Sequence, residues 1–129
     1  FEGYKRALEI ADSPNVGMCL CIGCWLEGGE GMGKRVEETI RYFGGLNKIF
    51  KVHYRTVDKP LPHFVESFVD DGYFDMYSAM KTLGEVGFDG VLIPDHVPTM
   101  AGDHKVGTAY TIAYMKALMN RAYDELAGS

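Results

Sequence analysis

Hydrophobic and polar positions change period repeatedly along this chain, and the switch between helical spacing and short apolar runs predicts its elements. In residues 3–11, Tyr4, Leu8 and Ala11 follow helical spacing and stop at Asp12-Ser13-Pro14, a turn cluster whose proline closes the helix. Residues 16–22 (VGMCLCI) form a short apolar run ended by Gly23, the pattern of a strand buried on both faces. A glycine-rich stretch, residues 27–33, reads as a flexible loop leading into a helix over 34–43. There Val36, Ile40 and Phe43 make one stripe, and Gly44-Gly45 supplies the stop.

Residues 49–56 alternate, with Phe50, Val52 and Tyr54 on one face and Lys51, His53 and Arg55 on the other, so this second strand has a polar inner face. The connection over 58–72, with Pro60, Pro62 and paired aspartates, is longer than linkage requires and reads as functional. A helix over 75–86 follows, with Met76, Met80 and Leu83 as its apolar stripe and Gly87 as its stop. Residues 90–94 (GVLIP) predict a third strand. A final helix over 108–127 carries Ile112, Met115, Met119, Ala122 and Leu126 on its apolar face. The order α, β, α, β, α, β, α predicts an α/β fold: three parallel strands joined by right-handed helical crossovers, in one domain over 1–129. Three parallel strands leave two hydrogen-bonding edges, which implies a partial (β/α) barrel or a self-associating homo-oligomer.

Composition narrows the class. With 13 Lys+Arg against 18 Asp+Glu the net charge is −5, which argues against sequence-independent nucleic-acid binding, because phosphate neutralisation needs clustered cations. No apolar run approaches the roughly 20 residues that span a bilayer, so no membrane partner is expected and small molecules are. Cys19, Cys21 and Cys24 lie within one strand and its exit, an odd count without the framework of a secreted disulfide protein, which places the chain in the cytoplasm. The chain opens on Phe1 rather than Met, without a signal-peptide pattern, and is read as a processed, tagged or truncated product.

In parallel α/β folds the working groups gather at the carboxyl ends of strands. Here that rule selects Cys21 from the first strand, His53 and Arg55 from the second, and Asp95 with His96 from the third. A thiolate, an imidazole and a carboxylate meeting there could bind a divalent transition metal, although a buried Cys is also an ordinary small hydrophobe and a strand His an ordinary hydrogen-bonded core group. Residues 28–35 (GGEGMGKR) nearly match a phosphate-binding loop, but Arg35 stands where the Mg²⁺-binding hydroxyl belongs, so a plain connecting loop is the simpler reading. Cys19, Cys21 and Cys24 lack a nearby fourth ligand for a zinc knot. His63 and His104 read as solvated loop residues.

These blocks together resemble the carboxyl-terminal part of the mannonate dehydratase family, metal-dependent sugar-acid lyases with a xylose-isomerase-like barrel. Residues 17–23 (GMCLCIG) are similar to the family strand ending Leu-Cys-x-Gly, and Val52-His53-Tyr54-Arg55 to its Val-His-Leu-Arg. Glu66, Asp75-Met76-Tyr77 and Met80-Lys81 resemble its loop and next helix. Pro94-Asp95-His96 with Met100 and Asp103 resembles its Pro-Asp-His segment, and Tyr110 falls at its active-site Tyr. The sequence departs from the pattern at Ile93 and Val65, where Arg and His are usual.

The resemblance implies a TIM-barrel-like fold, metal ligands at Cys21, His53 and Asp95, and Mn²⁺ or a similar divalent metal as cofactor. Proton transfer falls to Asp95, His96 and Tyr110, and Arg55 lies near the substrate carboxylate. The implied reaction, of the kind used in glucuronate catabolism, removes water from D-mannonate to give 2-keto-3-deoxygluconate. The metal acts as Lewis acid while a base takes the C2 proton and an acid protonates the departing hydroxyl. The family's fourth ligand is a His on an earlier strand, and its barrel has eight strands, so partners are a sugar acid and either the missing part of the barrel or a second copy. Two alternatives stand beside this reading: a non-catalytic self-associating half-barrel, and a sugar isomerase or epimerase of the same barrel group.

Overall fold

The computed structural model describes residues 1–128. Three strands, β1 (Met18–Cys21), β2 (Ile49–Tyr54) and β5 (Val91–Pro94), form a parallel sheet in the order β1-β2-β5. The helices are α1 (Glu2–Ala11), α2 (Ile22–Gly28), α3 (Val36–Gly45), α4 (Met76–Glu85) and α5 (His104–Ala127). A short antiparallel ribbon of β3 (Thr56–Val57) and β4 (Glu66–Ser67) lies inside the long connection after β2. The alternation of strands and helices predicted from periodicity is therefore present, with a ribbon added where a bare loop was expected.

The sheet sorts its residues by face. Leu20, Val52 and Tyr54 are fully buried and join Ile40, Phe43, Ala79, Met80, Leu83, Met115 and Leu118 in the core. Burial of each large apolar side chain contributes about 1.5–3 kcal/mol, so this layer holds the helices on the sheet. The opposite face carries Cys19, Cys21, Lys51, His53, Val91 and Ile93, and it is only half covered, with Val91 63% exposed. The expectation that β1 is buried on both faces is thus corrected: its burial alternates, because helices cover one side of the sheet only.

Local chemistry accounts for the shifted helix boundaries. The glycine-rich stretch expected as a flexible loop is instead α2 followed by a 3-10 turn, Gly29–Met32. α3 starts at Val36 rather than Lys34, because the Glu38 carboxylate accepts the Arg35 backbone N–H at 3.1 Å and satisfies the helix start. It runs through Gly44-Gly45, the expected stop. A Cβ at Gly44 would lie 2.6 Å from Val86 Cγ2, so the glycine serves close packing, and the chain turns instead at Asn47, with φ +54°. α5 begins a turn earlier than expected because the Asp103 carboxylate accepts the Lys105 N–H at 2.8 Å. That places His104 in the first turn of the helix, still exposed. The buried face of α5 is also rotated: Gly107, Thr111, Met115, Leu118 and Ala122 are buried, whereas Ile112 is 42% exposed.

α4 and α5 are clasped on their outer side. Glu125 accepts from Lys81 Nζ and Arg121 Nε, each at 3.0 Å. Together with the Tyr77 hydroxyl these donors hold the Glu125 carboxyl far down, to about 2. Its ordinary value is 4.5, so an unfolded chain takes up this proton first, and the clasp stabilises fully above that value and fades as pH falls toward 2. A ¹³C carboxyl titration should accordingly find Glu125 still ionised at pH 3; a midpoint near 4.5 would show the clasp absent in solution.

Candidate active site

The register of the sheet builds the site. Cys21, His53 and Ile93 are direct neighbours across β1, β2 and β5. Side chains alternate along a strand, so the next positions on the same face, one step past the carboxyl ends, are Gly23, Arg55 and Asp95. Two adjacent rows thereby deliver a thiol, an imidazole and a carboxylate to one place. One ligand atom from each of Cys21, His53 and Asp95 lies within 4.8 Å of the others, and all three residues are half-buried. Among the described residues this is the one such group of three or more His, Cys, Asp or Glu. His53 Nδ1 is 3.3 Å from Asp95 Oδ2.

The donor set fits a divalent transition ion. It offers a soft sulfur, a borderline imidazole nitrogen and a hard carboxylate oxygen, and each can be freed of its proton to bind metal. Cys19 and Cys24 stay outside the group. Burial pushes the Cys19 thiol up, and burial followed by the hydrogen bond with Cys21 pushes the Cys24 thiol up to about 11.

A carboxylate cage around Arg55 frames the cluster. The Arg55 side chain is 4% exposed; Nη1 donates to both Glu66 oxygens at 2.9 and 3.1 Å, and Nη2 donates to Glu27 Oε1 and, at 3.4 Å, to Cys24 Sγ. Its Nε stands 3.4 Å from Asp95 Oδ2. Burial works against the guanidinium charge, but the hydrogen bond to Glu27 and the negative charge of Cys21, Glu66 and Glu27 outweigh it and hold the Arg55 pKa above its ordinary value. The resemblance implies that Arg55 lies near the substrate carboxylate; in this structure its terminal nitrogens bond Glu66 and Glu27. Gly23 makes room for it, since a Cβ there would fall 2.4 Å from Arg55 Nη1.

His96 and Tyr110 are placed differently. His96 is 58% exposed in its side chain, with Nδ1 2.8 Å from Glu66 Oε1 and Nε2 3.8 Å from Asp95 Oδ2, so it borders the cluster. Tyr110 is held by another acid: its hydroxyl donates to Asp70 Oδ2 at 2.6 Å, and its ring meets Phe68 edge-on. That hydrogen bond, with burial second, pushes the Tyr110 hydroxyl pKa up. Sequence reasoning overlooked Glu27 and Asp70 and gave Glu66 no role. They lie in segments with no periodic signal, and only the ribbon and the turn of α2 bring the two glutamates to Arg55.

The phosphate-loop alternative finds no support here. The Arg35 N–H at the start of α3 is taken by Glu38, and the Arg35 side chain bonds Glu37 at 3.1 Å, so the helix start faces the chain's own anions. A cavity of about 500 Å³ beside it, lined by Trp25, Tyr73 and Phe74 among others, includes none of Cys21, His53 and Asp95. No helix among the described residues is long and apolar enough to cross a membrane.

Parallel strands that carry their polar groups at their carboxyl ends, with helices packed on one face, define a segment of the barrel class of α/β proteins. Two solved structures share the fold. A mannonate dehydratase from Streptococcus suis serotype 2 superposes with a TM-score of 0.84 at 23% identity, covering 98% of this chain and 38% of that one. A xylose isomerase domain protein from Planctomyces limnophilus gives 0.75 at 17% identity, covering 95% and 44%. In sequence, mannonate dehydratase 2 of Halalkalibacterium halodurans is 35% identical over 95 residues. The family model for D-mannonate dehydratase (UxuA) matches residues 1–124, and the chain belongs to that family. It spans between 27% and 35% of the length of the curated relatives it matches first.

Proposed function

We propose that this chain forms the metal-binding portion of a mannonate dehydratase active site, which removes water from D-mannonate to give 2-keto-3-deoxygluconate. The observation that carries the proposal is the meeting of Cys21, His53 and Asp95 from three separate strand ends within 4.8 Å. These residues would hold Mn²⁺ or a similar divalent ion. Once bound, such an ion supplies Lewis-acid polarisation of substrate oxygens.

The chain's own residues then divide the remaining work. The C2 proton passes to a base, and the C3 hydroxyl leaves with a proton from an acid as water. The electron pair of the C2–H bond becomes the new double bond, and the enol product ketonises. His96, at the edge of the cluster, suits the base; Tyr110, a hydroxyl held by Asp70, suits the acid. Arg55 keeps Glu27, Glu66 and Asp95 in place. Residues beyond this chain, from the rest of the barrel or from a second copy, complete the substrate pocket.

The test is turnover by the protein that carries this chain. With Mn²⁺ it should convert D-mannonate to a 2-keto-3-deoxy acid, stop in EDTA and leave neutral ketoses untouched. Turnover of ketoses only would replace dehydration by isomerisation on the same scaffold, and metal-independent turnover would remove the cluster from the mechanism.

A further inference from the structure

We infer that Glu66 is a positioning residue that locks His96 with its proton on Nδ1, leaving Nε2 as the basic nitrogen turned toward the metal cluster. The inference rests on the proposed site and adds the identity of the atom that receives the substrate proton.

Three observations combine. His96 Nδ1 lies 2.8 Å from Glu66 Oε1, while Nε2 lies 3.8 Å from Asp95 Oδ2, so the two ring nitrogens face different acids at different distances. Glu66 already takes two N–H bonds from Arg55 and has only acceptor sites left. A neutral imidazole that offered Nδ1 as a lone pair would set it against a carboxylate oxygen at hydrogen-bonding distance. The proton therefore sits on Nδ1, and the lone pair on Nε2.

Glu66 is itself held rigidly. It lies in β4, paired with β3, and its partner Arg55 is pinned from the other side by Glu27. His96, in contrast, follows the end of β5 with φ +44°, in the left-handed region that non-glycine residues seldom occupy. A backbone of that kind persists only where surrounding contacts over-determine it, and the Glu66 bond supplies such a contact. Without it the ring loses both its tautomer and the restraint that aims it.

Long-range ¹H–¹⁵N NMR of the histidine-labelled, metal-free chain, at a pH where the rings are neutral, reads the tautomer directly. Wild-type His96 should show the Nδ1–H pattern, whereas exposed His63 serves as the internal reference for a solvated ring; His104, whose Nδ1 lies 3.3 Å from Asp103 Oδ1, is not used as one. Glu66→Gln, whose amide oxygen still accepts, should keep the Nδ1–H pattern; Glu66→Leu should move His96 to the reference pattern. A wild-type His96 that matches His63 overturns the inference, and that spectrum decides the matter even if Glu66→Leu fails to fold. In the active protein Glu66→Leu should lower kcat at least about a hundredfold with KM little changed, the scale of one proton-transfer group, and Glu66→Gln should recover most of it. An equal loss in both variants would also overturn it. The NMR result stands apart from turnover, so an Nδ1–H His96 together with metal-independent turnover by the active protein would sink the proposed function and leave the positioning role intact.

Discussion

Asp95→Asn should abolish the rise in thermal midpoint that Mn²⁺ produces in the unsubstituted chain. An ion that binds only the folded state at a hundred times its Kd adds about 2.7 kcal/mol, on the order of 10 °C for a domain of this size. Asp95 is the sole carboxylate of the cluster, and its Oδ2 lies 3.3 Å from His53 Nδ1. Asparagine keeps the shape and removes the charge on which a hard divalent ion depends. Cys21→Ser should have the same effect, because a hydroxyl does not ionise as a thiol does. Cys19→Ser is the control: it lies on the same strand, outside the cluster, and should keep the full shift. Equal shifts in all four proteins would show that the ion binds elsewhere, and no shift in the parent would show that three ligands on this chain do not suffice.

Arg55→Met should be the most damaging single substitution in the cage, costing about 3 kcal/mol by urea unfolding. Removing the guanidinium leaves Glu27 and Glu66 without their shared cation, and Asp95 without the Nε beside it. The estimate sits at the low end for a broken ion network because the side chains of Glu27 and Glu66 retain 20% and 28% exposure and can recover some hydration. Lysine should restore only part of the loss. Its single ammonium cannot reproduce a planar fork that reaches one acid through Nη1 and another through Nη2. A cost below about 1 kcal/mol would mean that the pairs behave as ordinary surface bridges.

Both predictions turn on how the chain reaches its site, and the sequence carried much of that. Strict two-residue alternation in β2 put His53 and Arg55 on one face, and strand ends supplied Cys21 and Asp95 at matching positions, so periodicity and the strand-end rule brought the candidates together and the family resemblance singled out Cys21, His53 and Asp95 among them. The helical stripes of α3 and α4 were equally legible: Val36, Ile40, Phe43, Met76, Met80 and Leu83 are all buried. These are local properties, because side-chain spacing reports which face an element buries whatever it packs against.

Other features depended on partners far away in the chain. Whether Gly44 ends a helix or packs within one is decided by Val86, and which stripe of α5 is buried is decided by the neighbour it meets, α4. The role of Arg55 shows the distinction most clearly. The resemblance implies a place for it near the substrate carboxylate, and nothing in the letters around it announces that Glu27, 28 residues earlier, and Glu66, 11 residues later, converge on its guanidinium. The sequence by itself determined the order of elements, the buried faces of α3 and α4, and the strand-end residues from which the candidate metal ligands come. Only the tertiary structure decided which charges meet, and so which polar groups are free to act and which are held by others, because electrostatic pairing depends on distance in space and leaves no period in the chain.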